Sequence, residues 1–130
     1  MNKKVFYAFV EAINQHTTDG ICSLMSNDHK FIDAQGNEIT GKDKMKIAWQ
    51  SYFDLFPDYQ IEVIDIFESA DTIGAFGSAS GSFKEAKNSH FLKLPAAWKA
   101  IIYKGRVKLW QVYADTKIPF DIISKNQSQL

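Results

Sequence analysis

Residues 106–116, RVKLWQVYADT, are the stretch that decides the fold of this chain. The segment follows a lysine–glycine turn and is rich in aromatic and β-branched residues, which predicts the last strand of a sheet. Alternation along a strand places Trp110, Val112 and Ala114 on one apolar face. The opposite face carries polar groups, namely Gln111, Tyr113 and Asp115. That polar face suits the wall of a polar-lined pocket, or it meets solvent at the surface, and the strand alone leaves both interpretations open.

Length and composition favour one domain with its own core, because 45% of the 130 residues are apolar. Fifteen basic residues balance fifteen acidic ones, which argues against a surface for nucleic acid or an anionic membrane. The only cysteine, Cys22, falls among apolar residues and is interpreted as core filling. Residues 1–13 do not resemble a signal peptide, and no run approaches the roughly 18 apolar residues of a membrane span. We therefore expect a soluble, cytoplasmic protein.

Helical signals come first along the chain. Apolar residues at intervals of three and four predict helices over residues 3–15 and 41–56, and a short helix begins near Thr17. That short helix is expected to end at residues 26–28. A brief strand is then expected at residues 29–33.

Strand signals follow, with a period of two, at residues 59–68, 72–84, 90–103 and 106–116. Three glycines inside the second of these strands cost stability but permit a bend or a close approach of another layer: Gly74, Gly77 and Gly81. Residues 118–130 are expected to form a fraying tail. Segregated helices and strands predict a single α+β domain over residues 1–130, with three N-terminal helices on one side of a curved antiparallel sheet.

Short pieces in this order resemble the nuclear-transport-factor-2-like superfamily, and within it the SnoaL-like polyketide cyclases and ketosteroid isomerase relatives. The pieces are FVEAIN (9–14), DGI (19–21), FID (31–33), FPD (56–58), LPAAW (94–98) and WQVYAD (110–115). The resemblance covers about residues 4–120. It implies a cone-like fold whose curved sheet and helices enclose one deep pocket, and a homodimer formed through the outer face of the sheet.

The superfamily includes isomerases, cyclases, epoxide hydrolases and non-catalytic binders, so activity does not follow from the fold. Ketosteroid isomerases use a carboxylate base and two acidic donors. Asp33 matches the base, but the donor positions fall near Phe9 and Trp98, which argues against that reaction. SnoaL-like cyclases place an acid/base aspartate on the late strand, where Asp115 is the match. The only arginine, Arg106, starts a strand, which disfavours epoxide hydrolysis.

Two carboxylates and one imidazole are the candidate catalytic groups. Asp115 and Asp33 would form an acid/base pair if both faced one apolar cavity, since desolvation raises a carboxyl pKa. Asp33 would otherwise use its side chain to cap the turn at residues 35–36. His90 begins a strand that leads to the cavity wall and is a candidate assistant base. We expect His16 to face solvent and His29 to lie in a loop.

The chain lacks metal-ligand spacings and a phosphate-binding glycine loop, so we expect neither a metal nor a cofactor. Most aromatic residues are ordinary core, but Tyr52, Trp98 and Trp49 are pocket candidates because they offer both apolar surface and polar tips. Tyr113 and Gln111 join them as candidate ligand-binding residues beside Asp115.

Three functional hypotheses follow. The chain binds an apolar, cyclic or polyketide-like molecule and catalyses a cofactor-free proton transfer, as in cyclisation or isomerisation. Alternatively, it is a non-catalytic ligand-binding or dimerisation module of the same fold. A protein-interaction domain would instead expose aromatic surface on its sheet.

Overall fold

The computed structural model describes residues 2–84 and 86–127 and contains a six-stranded curved sheet with helices packed against it. The elements in chain order are α1 (Asn2–Asn14), α2 (Thr18–Ser23), β1 (Met25–Ile32), β2 (Glu38–Thr40), α3 (Lys42–Leu55), β3 (Gln60–Ser69), β4 (Thr72–Phe83), β5 (Ala86–Tyr103), β6 (Arg106–Ala114) and α4 (Lys117–Gln127). The predicted α+β class, with three N-terminal helices and a curved sheet, is confirmed.

The sheet has the strand order β2-β1-β6-β5-β4-β3. Strands β3 to β6 form the predicted antiparallel meander. The sheet is not wholly antiparallel, because β1 lies beside β6 in parallel, with Phe31 next to Trp110. This pairing satisfies the backbone groups at the edge of β6, which would otherwise remain exposed.

Strand β1 begins earlier than predicted. The polar residues at positions 26–28, expected to end a helix, lie inside the strand. Asn27 and Asp28 are exposed, whereas Met25 and His29 are buried, and the pairing of β1 with β6 is irregular between Met25 and Lys30. The polar run is therefore the exposed part of an irregular strand.

The predicted tail is wrong for residues 118–127, which belong to helix α4, and residues 128–130 lie outside the described residues. Pro119 falls in the first turn, where a helix tolerates its missing N–H. Ile122 is buried in the core, and the amide of Asn126 donates a hydrogen bond to the carbonyl oxygen of Ile122 at 2.8 Å. A narrow apolar stripe therefore holds a helix whose composition is mostly polar.

Helix α1 packs against the sheet through two large aromatic side chains. The rings of Phe6 and Phe9 lie 5.3 and 4.8 Å from that of Trp110, and all three are fully or almost fully buried. The apolar face of β6 therefore points towards the helices, which also fixes the direction of its polar face.

Two histidines differ from their expected environments. His29 is fully buried rather than in a loop, and its Nδ1 lies 2.7 Å from the carbonyl oxygen of Val107. Burial lowers the pKa of its imidazole and favours the neutral form. His16 does not simply face solvent: its ring stacks on Phe53 at 4.1 Å, and its Nε2 lies 2.7 Å from the carbonyl oxygen of Tyr59.

Candidate ligand-binding site

A cavity of about 340 Å³ lies between the helices and the concave face of the sheet. Residues of β1, α3, β4, β5, β6 and α4 line it. A cavity of about 150 Å³ accommodates one benzene ring, so this one has room for roughly two rings. Its exposed lining residues, Gln35 and Phe120, place the mouth between the β1–β2 turn and α4.

Helix α3 supplies one wall. Met45, Ala48, Trp49 and Tyr52 recur at intervals of three and four and all line the cavity, which is the pattern of a single helix face. Opposite them, Trp98 of β5 is only 2% exposed and also lines the cavity. The three pocket candidates Trp49, Tyr52 and Trp98 are therefore brought together.

Small side chains on the inner face of the sheet leave this space open. Ala96 on β5 lies beside Ala114 on β6, and Ala79 on β4 lies beside Leu94 on β5. All four residues line the cavity. The aromatic wall of α3 thus faces a sheet wall in which three alanines leave space between larger side chains.

Polar groups on the aromatic walls lack protein partners within the described part of the chain. The indole Nε1 of Trp49 is buried without a hydrogen bond. Burial raises the pKa of both Tyr52 and Tyr59 well above that of an ordinary phenol, so both hydroxyls remain protonated. No lysine or arginine lies among the lining residues that the structure describes.

Asp33 lies at the mouth and has a structural role there. Its Oδ1 accepts hydrogen bonds from the backbone N–H groups of Gln35 and Asn37, each at 2.9 Å. Its Oδ2 accepts a third, at 3.1 Å, from the side-chain amide of Asn37. The amide of Gln35 also donates to the hydroxyl of Thr116, which links the turn to the start of α4. Asp33 therefore lines the cavity and also caps its turn.

The residues of the polar face of β6 lie outside the cavity. Val112 and Ala114 line it, so alternation directs their odd-numbered neighbours to the outer face of the sheet. Tyr113 is 50% exposed, and Gln111 lies beside Lys99 on β5. The apolar face of β6, with Val112 and Ala114, therefore lines the cavity, and its polar face does not.

The other two predicted catalytic groups do not line this space either. Asp115 is exposed, and its Oδ1 accepts a hydrogen bond from the backbone N–H of Lys117 at 3.0 Å, at the start of α4. His90 is exposed on β5, beside Ser82. Neither residue lines the cavity, so the structure does not assemble the pair of Asp33 and Asp115.

Sequence reasoning missed several lining residues, in particular Tyr59, Ala96 and Phe120. The alanines Ala79, Ala96 and Ala114 on the late strands are the sequence signal that could have indicated an open space, since a packed sheet face normally carries larger residues.

No group of three or more potential metal ligands occurs in residues 2–84 and 86–127, and no helix there is long and apolar enough to cross a bilayer.

The SnoaL-like domain family matches residues 6–109 of the chain. Solved structures with the same fold include a proposed polyketide cyclase from Xanthomonas campestris pv. campestris, with 15% identity, a TM-score of 0.82, and coverage of 94% of this chain and 96% of that one. No curated protein matches the chain. The predicted resemblance to SnoaL-like proteins is confirmed.

Two further structures of this fold contain small molecules. A protein from Catenulispora acidiphila with a ketosteroid isomerase-like fold, solved with trimethylamine, is 16% identical, with 85% of each chain covered and a TM-score of 0.78. TerC, co-crystallised with polyporic acid, is 15% identical over 95% of this chain and 98% of that one, with a TM-score of 0.77. Identities this low show a shared fold.

Proposed function

We propose, from the premise that the chain belongs to the SnoaL-like domain family, that its cavity binds an apolar cyclic molecule of about two rings. The observation that carries this proposal is the cavity of about 340 Å³ between aromatic side chains and alanines. Pockets of this volume with mostly apolar walls and a few polar groups are typical ligand sites. The complexes of two structural neighbours with trimethylamine and with polyporic acid agree with the binding of small molecules by this fold.

Titration with tetralin, a neutral two-ring hydrocarbon, tests this proposal. Trp49 and Trp98 line the cavity, so occupancy should change tryptophan fluorescence in a saturable way. Ligand at a hundred times its Kd should also raise the free energy of unfolding by about 2.7 kcal/mol. Naphthalene sulfonate, of similar size but charged, is the control and should not bind. If tetralin changes neither fluorescence nor thermal stability, the proposal fails.

A second candidate function is cofactor-free proton transfer, the chemistry of a cyclase or isomerase. Asp33 favours it, because among the described lining residues this is the one carboxylate. Its Oδ2 accepts a single hydrogen bond, from Asn37, and could remove a proton from a carbon next to a carbonyl group. Asp33 also caps the turn at residues 35–37, and this structural role accounts for its carboxylate without any catalysis. Binding without catalysis is therefore the first proposal.

Hydrogen–deuterium exchange at the α-carbon of α-tetralone, followed by NMR in deuterium oxide, tests this second function. Exchange should exceed that in buffer, and Asp33→Asn should reduce it by at least about a hundredfold, the lower range for a general base. Asp115→Asn is the matched control, since Asp115 is exposed outside the cavity. Loss of exchange in Asp115→Asn alone would assign the base to Asp115 instead.

We also propose that the outer face of the sheet forms a homodimer. Phe67 and Phe76 lie on it, 63% and 53% exposed, with ring centroids 6.2 Å apart, and Tyr113 is exposed on the same face. Exposed aromatic surface of this kind marks interaction sites. Sedimentation should give twice the monomer mass for the wild type and the monomer mass for Phe76→Lys, and a monomeric wild type would refute the dimer.

A further inference from the structure

We propose that Tyr52 and Tyr59 together recognise a hydrogen-bond acceptor, such as a carbonyl oxygen, on a neutral cyclic ligand. The inference rests on the proposed function, because it assumes that the cavity holds an apolar ring system. It goes further by naming the polar group of the ligand and the side chains that select it.

The two phenols form a preorganised pair. Their rings lie 5.0 Å apart and almost perpendicular, at an interplanar angle of 89°. Tyr52 is in the last turn of α3 and packs against Phe56 at 5.1 Å. Tyr59 is held by a backbone hydrogen bond from its N–H to the carbonyl oxygen of Phe56, at 3.0 Å. Both rings line the cavity, and a fixed pair loses little conformational entropy when it binds.

Neither phenol has a protein acceptor for its hydroxyl. Within residues 2–84 and 86–127, the hydroxyl of neither Tyr52 nor Tyr59 makes a hydrogen bond to protein, and burial is the main cause of the raised pKa of each. Both residues are only half-buried, and neither hydroxyl is among the fully buried unpaired atoms of the described chain, as expected for side chains that face an internal space. An unpaired hydroxyl in an apolar cavity is unfavourable. A ligand oxygen is the partner that this arrangement lacks.

The polar groups of the cavity wall favour a ligand with a neutral hydrogen-bond acceptor. Both tyrosine hydroxyls stay protonated and can donate. No lysine or arginine among the described lining residues would balance a buried negative charge, and an unpaired buried charge is very costly. A cyclic ketone or quinone therefore fits better than a carboxylate.

A matched pair of probes measures this recognition directly. Tetralin and α-tetralone share one skeleton and differ by the carbonyl oxygen, so the ratio of their Kd values in calorimetric titration reports the polar contact. The wild type should bind the ketone at least about tenfold more tightly, because an unmade buried hydrogen bond typically costs that much in affinity.

Single-atom variants assign the contact. Tyr52→Phe and Tyr59→Phe each remove one oxygen, and each should weaken α-tetralone about five- to tenfold while leaving tetralin within about twofold. Tyr103→Phe, at an exposed position outside the cavity, is the matched control and should change neither Kd. A further measurement needs no variant. In the wild-type complex, a hydrogen bond to the carbonyl oxygen should lower the infrared C=O stretching frequency of α-tetralone below its value in hydrocarbon solvent.

The outcomes separate the two levels of the proposal. If neither probe binds, the proposed function fails and the inference fails with it. If both probes bind with equal Kd, or if the carbonyl stretch is not shifted, the cavity is a ligand site but the tyrosines do not recognise an acceptor. If Tyr52→Phe weakens the binding of tetralin and of α-tetralone equally, the effect is one of packing and the inference is overturned. Tighter binding of the carboxylate naphthoate than of the neutral ketone α-tetralone would also overturn it.

Discussion

Ala96→Phe is expected to weaken tetralin binding at least about a hundredfold while the protein stays folded. Ala96 is 8% exposed, lines the cavity and lies beside Ala114 of the neighbouring strand. A phenyl group at this position points into the space that the ligand needs, because the side chain of residue 96 already faces it. Cavity-filling substitutions commonly add about 0.5–2 kcal/mol of stability, so a loss of fold is not the expected cause.

The adjacent residue provides the control. Ala97 lies on the opposite face of β5, between Phe76 of β4 and Tyr113 of β6. Ala97→Phe makes the same chemical change on the outer face and should leave tetralin affinity within about twofold, since it adds nothing to the cavity. Thermal melting of both variants checks their folding. A well-folded Ala96→Phe variant that binds tetralin like the wild type would place the ligand outside this cavity.

Local sequence patterns correctly predicted the helices, strands and turns that are determined by residues close together in sequence. Helix α3 follows from the periodic spacing of Met45, Trp49 and Tyr52, and the meander follows from alternation in β3 to β6. The turn at Asp33 also follows from its own side chain, which bonds two backbone N–H groups as an aspartate often does. In each case the deciding contacts lie within a few residues of sequence.

The position of the site depends on contacts between residues far apart in sequence, and local sequence patterns were insufficient to predict which residues face the cavity. Strand β6 has one apolar and one polar face, and both are compatible with a pocket until the opposing layer is known. Trp110 meets Phe6 and Phe9 of α1, a contact across about a hundred residues of sequence. That packing turns Asp115 away from the cavity, and no property of the last strand by itself decides the direction.

The acceptor inference and the proton-transfer candidate are chemically compatible. A carbonyl oxygen bound by Tyr52 and Tyr59 would become more negative as the neighbouring carbon loses its proton, and donors fixed in place stabilise such developing charge. Binding, carbonyl recognition and catalysis are nevertheless separable, because tetralin affinity, the ketone preference and α-carbon exchange are three different measurements.

Gly77→Ala is expected to destabilise the protein by about 3 kcal/mol, towards the upper end for a core substitution that adds volume. A Cβ at Gly77 would overlap the carbonyl oxygen of Glu62 and lie 3.1 Å from the Cα of Val63. These are backbone atoms of β3, so no side-chain rotation relieves the overlap. The site coincides with the irregularity in pairing between Val63 and Asp65, a bulge of the kind that bends a sheet.

Gly74→Ala isolates the steric cause, because no atom lies within 4 Å of a Cβ at Gly74. This second glycine of β4 should tolerate alanine or gain up to about 1 kcal/mol from reduced freedom of the unfolded chain. Urea denaturation of both variants, with unchanged m-values, measures the difference. The bend at Gly77 precedes Ala79 on the cavity wall, so Gly77→Ala should also weaken tetralin, whereas Gly74→Ala should not. Equal stability of the two variants would show that the close approach of β3 and β4 does not require glycine.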